Sequence, residues 1–326
     1  MARTVTMRQV ACHDWRAVPD ATIESLFAAE RWRWESLLDW ELGAAWDELR
    51  RGRELQTVSG LVALAPDGQA TGWTYYLVHD GAVQIGAFSS ASESTTAILL
   101  DAIFADPRTA PANRVTLFAF TDAPGLVAGL RARGLAVDRY FYLRRNIVGV
   151  RGAGARDMRV WSMEHADATA DLLGRAFEAR DVSRPFAPGG TPEEWRQYVI
   201  RLVTGTGCGT LMPSACLSIG NGPNRLAAVT LVTRIGPLTA HLAQLAVDPA
   251  FRGRHLGTAL VEAACGAAAR EGCTRMTLLV GGRNQTARAL YQRTAFEPVS
   301  SFISAGGAYP RRSTSVAPGG VIITRR

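Results

Sequence analysis

Three features are missing from this sequence: lysine, closely spaced cysteine pairs and long apolar runs. All 36 basic residues among the 326 are arginine, which GC-rich coding explains without reference to function. Disulfide frameworks and thiolate metal sites use close, paired cysteines. The five cysteines here are odd in number and form no C-x-x-C pair: Cys12, Cys208, Cys216, Cys265 and Cys273. We therefore expect buried, reduced thiols and no metal site.

The absence of long apolar runs bears on membranes. No run approaches the roughly 20 residues that a membrane-spanning helix needs. The first residues, Met1 to Arg8, lack the apolar segment of a secretory signal. Hydrophobic residues make up 47% of the chain and charged residues 20%, which is typical of globular proteins. These features predict a cytoplasmic protein without a membrane partner.

Charge is distributed unevenly along the chain. Residues 1–150 hold 15 arginines and 17 acidic residues, a net of −2, whereas residues 151–326 hold 21 arginines and 12 acidic residues, a net of +9. Such asymmetry indicates that the second half binds an anion. Arginine-rich runs interleaved with aromatic residues are absent, so we expect a phosphorylated cofactor and no nucleic acid.

A Gly-rich segment at residues 149–156 divides the chain. It separates a first domain (1–148) from a second (157–304) that is followed by a tail (305–326). Hydrophobic periodicity and turn residues predict the order β-α-α-β-β-β-α-β-α-β for the second half, which is an α/β fold with a mixed sheet between helices. The first half repeats this order weakly, which indicates an old duplication.

The most informative segment is the Gly-punctuated loop at residues 248–258. It leads from a strand that ends at Val247 directly into an Ala-rich helix. Unpaired backbone N–H groups at such a helix start bind phosphate, and Gly253 and Gly257 leave room for the approach. Arg252 and Arg254 add positive charge. The alternative is a tight strand-to-helix turn with no ligand.

A second motif occupies residues 284–296. Asn284 is a good helix N-cap. Ala287, Leu290, Tyr291 and Thr294 follow at i, i+3, i+4 and i+7, so they share one helix face. Without further information this pattern indicates a core helix with a buried tyrosine.

Together the two motifs resemble the GNAT (GCN5-related N-acetyltransferase) superfamily. Its pyrophosphate signature is Gln or Arg, two residues, Gly, one residue, then Gly or Ala. Here Arg252 and Gly257 match, and His255 replaces the first glycine. The helix motif of the family ends in Gly-Phe, and here Ala295 replaces that glycine. The resemblance implies two GNAT-like domains, each with a mostly antiparallel sheet whose central strands splay apart.

The resemblance also implies a cofactor, acetyl-CoA or another acyl-CoA, and a set of site residues. A backbone N–H near Val247 is expected to stabilise the developing oxyanion, and Tyr291 is expected to protonate the departing thiolate. The residues expected to bind the cofactor are Leu245, Ala246, Val247, Arg252, Gly253, Arg254, His255, Leu256, Gly257, Thr258, Asn284 and Arg288.

The general base is left open. Many GNAT members use a glutamate on the fourth strand, but the strand predicted at residues 239–247 has no carboxylate. Its polar residues, His241 and Gln244, fall on opposite faces if the strand alternates regularly. Either His241 or a chain of water molecules serves as the base in this interpretation.

The first half lacks both motifs. Its corresponding loop, residues 89–94, has no arginine, and its last helix has no tyrosine. We therefore expect a degenerate domain that does not bind the cofactor. Its Trp-rich segment, residues 31–40, could line an acceptor pocket or pack between the domains, and packing is favoured.

These observations predict an acetyl-CoA-dependent N-acetyltransferase that acts on a small-molecule amine in a ternary complex. Two alternatives remain: peptide or protein N-terminal acetylation, and a non-catalytic acyl-CoA sensor. A homodimer is compatible with the sequence.

Overall fold

A computed structural model describes residues 10–310 except 42, 153–156, 178–186, 188, 206–207 and 223. The first half contains, in chain order, β1 (Ala11–Asp14), α1 (Asp20–Leu38), α2 (Gly43–Glu54), β2 (Ser59–Leu64), β3 (Ala70–His79), β4 (Ala82–Ser90), α3 (Glu93–Ala105), β5 (Arg114–Phe120), α4 (Leu126–Ala132) and β6 (Ala136–Asn146).

The second half repeats this order with one additional short strand. It contains β7 (Met158–Val160), α5 (Ala166–Ala176), α6 (Pro192–Thr204), β8 (Thr210–Leu211), β9 (Leu217–Gly220), β10 (Leu226–Gly236), β11 (Thr239–Val247), α7 (Leu256–Arg270), β12 (Arg275–Gly281), α8 (Gln285–Arg293) and β13 (Glu297–Ala308). The start of α6 is a capping box in which the Thr191 hydroxyl accepts the Glu194 N–H at 3.2 Å. The predicted α/β class with a mixed sheet is confirmed.

Both halves contribute to one sheet, which has 13 strands among the described residues. Its main order is β1-β2-β3-β4-β5-β13-β6-β12-β11-β10-β9-β7, and β8 pairs with β10. Strand β13 lies between β5 and β6, and β6 lies between β13 and β12. Each half therefore adds its last strand to the sheet of the other. The domain boundary at residues 149–156 stays a prediction. In the fold, β6 of the first half and β13 of the second half each pair with strands of the other half.

Helices cover both faces of the sheet. In the first half, α3 and α4 pack on one face, through Leu99, Leu100 and Leu130, against residues such as Tyr76. Helices α1 and α2 pack on the other face around Phe27. The face that α3 and α4 cover in the first half is covered by α7 in the second, where the Arg145 guanidinium on β6 donates to Glu262 of α7.

An aromatic cluster joins the halves at the centre of the sheet. Trp40, from the segment after α1, contacts Tyr142 of β6 and His241 of β11, with ring centroids 6.4 and 4.9 Å apart. Trp34 contacts Phe302 of β13. The packing role predicted for the Trp-rich segment therefore applies to Trp34 and Trp40.

Among the residues that the structure describes, no helix is both long and apolar enough to span a bilayer. Within the same residues, no three metal-ligating side chains come together.

Candidate active site

The cleft expected in the second half is present between β11 and β12. These parallel strands pair from Thr239 with Arg275 to Leu242 with Leu278, and the pairing stops there although both strands continue. Beyond that point β11 still pairs with β10 on its other side, through Val247. Leu245, Ala246 and Val247 therefore have no strand partner on the β12 side in the described chain, which leaves backbone groups available to an extended ligand.

A β-bulge sits where the strands separate. Leu231 of β10 pairs with Gln244, but the next residue, Val232, pairs with Leu242, so Ala243 is the extra residue. A bulge shifts the phase of side-chain alternation by one residue. His241 and Gln244 consequently lie on the same face of β11, and the expectation of opposite faces from regular alternation was wrong.

Gln244 is held in place by the second helix of this half. The Tyr198 hydroxyl of α6 donates to the Gln244 Oε1 atom at 2.9 Å. The Thr230 hydroxyl on β10 also donates to the Gln244 carbonyl at 3.2 Å. The bulge and its polar side chain are thus anchored from two elements.

The loop after β11 is anchored by a buried carboxylate. Asp248 is 3% exposed and accepts from Arg175 Nε at 2.9 Å and from the Ala250 N–H at 3.0 Å. Burial acts to raise the Asp248 pKa, but the hydrogen bonds from Ala250 and Arg175 outweigh it, so the pKa is lowered. The carboxylate stays charged and holds the start of the loop against α5.

The helix start that follows the loop has free N–H donors. His255 occupies the N-cap position of α7, and its side chain makes no capping hydrogen bond. No acidic residue lies in the first turn. The start of α7 therefore combines uncapped N–H groups with the positive end of the helix dipole, which is the arrangement that binds phosphate.

The two arginines of the loop make protein contacts of their own. An Arg252 guanidinium nitrogen donates to the Ala176 carbonyl at 3.0 Å. The Arg254 guanidinium lies 4.9 Å from the Phe251 ring centroid. Both side chains are exposed, so they add positive potential around the loop while part of each is engaged in the fold.

Gly257 serves a packing role that the sequence did not distinguish from ligand binding. A Cβ atom at Gly257 would lie 2.8 Å from Leu290 Cδ1 of α8 and 3.6 Å from Val247 Cγ2. The glycine thus allows α7 to approach α8 and β11 closely. Any substitution there disturbs this packing, so it is a poor probe of phosphate binding.

Helix α8 has the face that its spacing predicts. Tyr291 is buried, Ala287 and Leu290 are half-buried, and their helical neighbours are exposed. Asn284 is the N-cap, and its Oδ1 accepts the Ala287 N–H at 3.1 Å. Arg288 donates to the Gly282 carbonyl and lies 4.8 Å from the Phe141 ring centroid. Cofactor contacts from Asn284 and Arg288 stay predictions, since their visible contacts are within the protein.

Tyr291 is 6% exposed and packs edge-to-face on Phe296, with ring centroids 5.7 Å apart. Burial raises the pKa of its phenol. Among the described residues, its hydroxyl has no hydrogen-bond partner. The phenol therefore stays protonated through the neutral range, as a proton donor must.

His241 does not have the properties of a general base. It is 4% exposed, its Nδ1 lies 2.9 Å from the Thr277 hydroxyl, and Trp40 and Tyr142 pack on its ring. Burial lowers its pKa to about 3. It also lies where β11 and β12 are still paired. These features fit a neutral, structural histidine.

Both departures from the GNAT motifs occur at left-handed backbone positions. His255 has φ of 59° and Ala295 has φ of 58°. The family has glycine at these two places, because glycine adopts positive φ at little cost. His255 and Ala295 keep the left-handed backbone conformation that glycine has in the family. The replacements therefore raise the conformational energy of the backbone but leave its geometry unchanged.

We therefore expect Ala295→Gly to increase the free energy of unfolding by about 0.5–1 kcal/mol, the relief of left-handed strain less the entropy cost of glycine. Ala289 is exposed within α8, the helix that ends just before Ala295, and Ala289→Gly should decrease the free energy of unfolding by about 0.5–1 kcal/mol. Urea unfolding of both variants gives the sign directly. Destabilisation by both changes would contradict a strained Ala295.

In the first half, the corresponding strands β4 and β5 also separate, but a protein side chain occupies the gap between them. Strands β4 and β5 pair only from Ala82 with Arg114 to Ile85 with Leu117. The Tyr75 ring lies against Gly86, just beyond this pairing, and its hydroxyl is close to the Ala87 backbone. Tyr75 thus covers the β4 backbone where the two strands separate.

The helix start is filled as well. Ser92 caps α3 by accepting the Thr95 N–H at 3.1 Å, and Glu93 lies in the first turn. A self-capped helix start with a carboxylate disfavours a second anion.

Comparison with known proteins agrees with this geometry. Residues 176–296 match the acetyltransferase (GNAT) family model. The second half of the chain is thus similar to this family over these residues. The prediction that the protein is an acyltransferase is thereby confirmed.

Two curated relatives and two solved structures are similar to this protein. Mycothiol acetyltransferase from Clavibacter michiganensis subsp. michiganensis is 27% identical over 251 residues, which cover 72% of this chain and 76% of the relative. Mycothiol acetyltransferase from Beutenbergia cavernae is 42% identical over 62 residues, so the match spans 19% of this chain and about a fifth of that relative's length.

The solved structures support the tandem fold. A GCN5-related N-acetyltransferase from Sphaerobacter thermophilus has a TM-score of 0.60 at 16% identity and covers 94% of this chain and 98% of its own. A tandem GNAT protein from the clavulanic acid biosynthesis pathway has a TM-score of 0.50 at 14% identity and covers 78% and 84%. At such identities the likeness shows a shared fold.

Proposed function

We propose that the second half is an acetyl-CoA-dependent N-acetyltransferase that acetylates the amine of a small molecule by direct attack in a ternary complex. The observation that carries this proposal is the junction of the splayed β11 edge with the uncapped start of α7. The strand edge offers backbone partners to an extended arm, and the helix start offers N–H donors to a pyrophosphate.

The chemistry follows from the same arrangement. The amine nitrogen attacks the thioester carbon, the carbon–sulfur bond breaks, and the thiolate takes a proton. Backbone N–H groups of β11 where the strands separate, around Ala243, suit the oxygen that gains negative charge. Tyr291 supplies the proton to sulfur, because its phenol stays protonated in this buried site.

The attacking amine must also lose a proton, since an alkylamine has a pKa of about 10. A neutral, buried His241 is poorly suited to accept it. We infer that a chain of water molecules carries this proton to solvent.

Turnover of acetyl-CoA tests the proposal. Release of free thiol should be followed with amines, amino acids, aminoglycosides and short peptides as acceptors. The acceptor of the mycothiol acetyltransferases is added because two relatives carry that name. Release that depends on a small amine supports the proposal. Thiol release with peptides alone favours N-terminal acetylation. Tight binding of acetyl-CoA without thiol release in the presence of any acceptor favours a sensor.

A charge placed at the helix start tests the cofactor loop. Asp and Asn both tolerate the left-handed N-cap position of His255 and differ only in charge. Acetyl-CoA should bind the His255→Asp variant at least tenfold more weakly than His255→Asn, about 1.4 kcal/mol, because the carboxylate repels the pyrophosphate. Calorimetry measures both affinities.

The matched control lies in the first half, at the N-cap of α3. Ser92→Asp and Ser92→Asn should bind acetyl-CoA alike, because the α3 start is capped and carries Glu93. Equal affinities for the two His255 variants would mean that the loop is only a strand-to-helix turn.

The filled first-half cleft predicts one acetyl-CoA per chain. Tyr75 covers the β4 backbone and Ser92 caps the helix start, so neither feature is free for a second cofactor. Calorimetric titration of the full chain should give a stoichiometry near one. A value near two would show that residues 1–148 are not degenerate.

A further inference from the structure

A polar cavity of about 490 Å³ opens between the two halves, at the start of β12 and so at the opposite end of that strand from the splayed cleft. Residues from the end of α1, from β6 and its following turn, and from the start of β12 line it: Ser36, Asp39, Arg144, Asn146, Val148, Thr274 and Arg275. None of them takes part in the acetyl transfer proposed above.

Two guanidinium groups meet one carboxylate in this cavity. Asp39 accepts from Arg144 at 3.2 Å through Oδ2 and pairs with Arg275 through Oδ1. Each pair uses one guanidinium nitrogen, and in the described chain the other guanidinium nitrogens of Arg144 and Arg275 have no protein partner. Because a guanidinium carries five N–H donors, most of the donors remain available to a ligand.

The remaining polar groups strengthen the excess of donors. The Asn146 Oδ1 atom accepts the Val148 N–H at 2.9 Å, which leaves the amide NH₂ for a ligand. The charged lining residues are two arginines and one aspartate, a net of +1. One carboxylate can balance only one of the two guanidinium charges, so the cavity keeps an excess of positive charge.

From this lining we infer that the cavity is a binding site for a small anion, through a carboxylate or phosphate group that bridges Arg144 and Arg275. Asp39 occupies the position of an internal competitor, since its carboxylate offers the arginines the same oxygen acceptors as the ligand. Removing its charge should therefore strengthen binding, whereas removing either guanidinium should weaken it.

The test uses the full chain saturated with coenzyme A, so that the phosphate loop of α7 is already filled. Phosphate and succinate are titrated separately at constant ionic strength, balanced with chloride, and thermal unfolding is followed. A saturable rise in Tm with a millimolar Kd, about −4 kcal/mol, is expected. Arg144→Gln should weaken binding at least tenfold, and Asp39→Asn should strengthen it severalfold.

Arg159→Gln, on exposed β7 away from the cavity, is the matched control and should bind like the parent. If Arg275→Gln fails to fold, Arg144→Gln still decides, because it leaves the Asp39–Arg275 pair intact. Chloride that stabilises as well as phosphate and succinate, or an Asp39→Asn variant with no gain in affinity, would overturn the inference. Turnover is not measured, so the outcome does not depend on whether the protein catalyses acetyl transfer.

Discussion

Replacing Phe302 by alanine is expected to lower the free energy of unfolding of the whole chain by about 3–5 kcal/mol. Phe302 is 1% exposed in the middle of β13. Its ring stacks on Phe118 at 4.9 Å and lies 4.4 Å from Phe120, both on β5. It also contacts Trp34 of α1 at 5.7 Å. A second-half residue thus completes a first-half core.

The exchange of last strands explains why this effect is not confined to one half. Without an ordered β13, β5 and β6 each lose one of their two neighbouring strands at the centre of the sheet. We expect calorimetry of the parent chain to show a single cooperative transition, and Phe302→Ala to move all of it to lower temperature.

Trp32 provides the control for this prediction. It is 66% exposed on α1, the helix that also carries Trp34. Trp32→Ala should change stability by less than about 0.5 kcal/mol, as exposed substitutions usually do. Two separate transitions, with only the second half affected by Phe302→Ala, would contradict a shared core.

Local features were the most predictable part of this fold. Asn284 makes the N-cap hydrogen bond that its sequence context predicts, and Thr191 makes the corresponding bond at the start of α6. The predicted buried face of α8 agrees with the observed exposure. These features depend on residues within one turn of each other, so a single sequence contains all the information that they require.

Features that depend on distant pairing could not be predicted. The bulge at Ala243 is defined by register with β10, and nothing in residues 239–247 alone signals it. The strand exchange depends on the pairing of β6 with β12 and of β13 with β5. The sequence indicates only that β6 and β13 are the last strands of their halves. The engagement of Arg252 with the Ala176 carbonyl is likewise a long-range contact.

The glycines of the loop before α7 also have roles that the sequence alone does not distinguish. Gly253 and Gly257 look equivalent in the sequence. In the fold, Gly253 has φ of 77° and open space around it, whereas Gly257 is a close contact between α7 and α8. The first glycine of the family pattern corresponds to neither of them but to His255, which also has a left-handed backbone conformation. Histidine is among the residues that tolerate this region, which explains how the motif survives the replacement.

Tyr291→Phe is expected to lower kcat at least tenfold with acetyl-CoA affinity nearly unchanged, since general acid catalysis typically contributes about 10²–10⁴-fold. The substitution keeps the edge-to-face packing on Phe296 and deletes only the phenol hydroxyl. Because that hydroxyl has no hydrogen-bond partner among the described residues, its removal should cost little stability. The threshold is set low because a thiol with a pKa near 8.5 also leaves without assistance.

The measurement must separate a missing proton donor from a general loss of fold. Tyr309→Phe is the matched control: it removes a phenol that bonds Thr109 and the Phe104 carbonyl in the first half, far from α8. It should leave kcat unchanged. Single-turnover rates with a good amine acceptor isolate the chemical step from product release. If Tyr291→Phe and the parent then react at the same rate, Tyr291 is a core residue, and the thiolate leaves without its help.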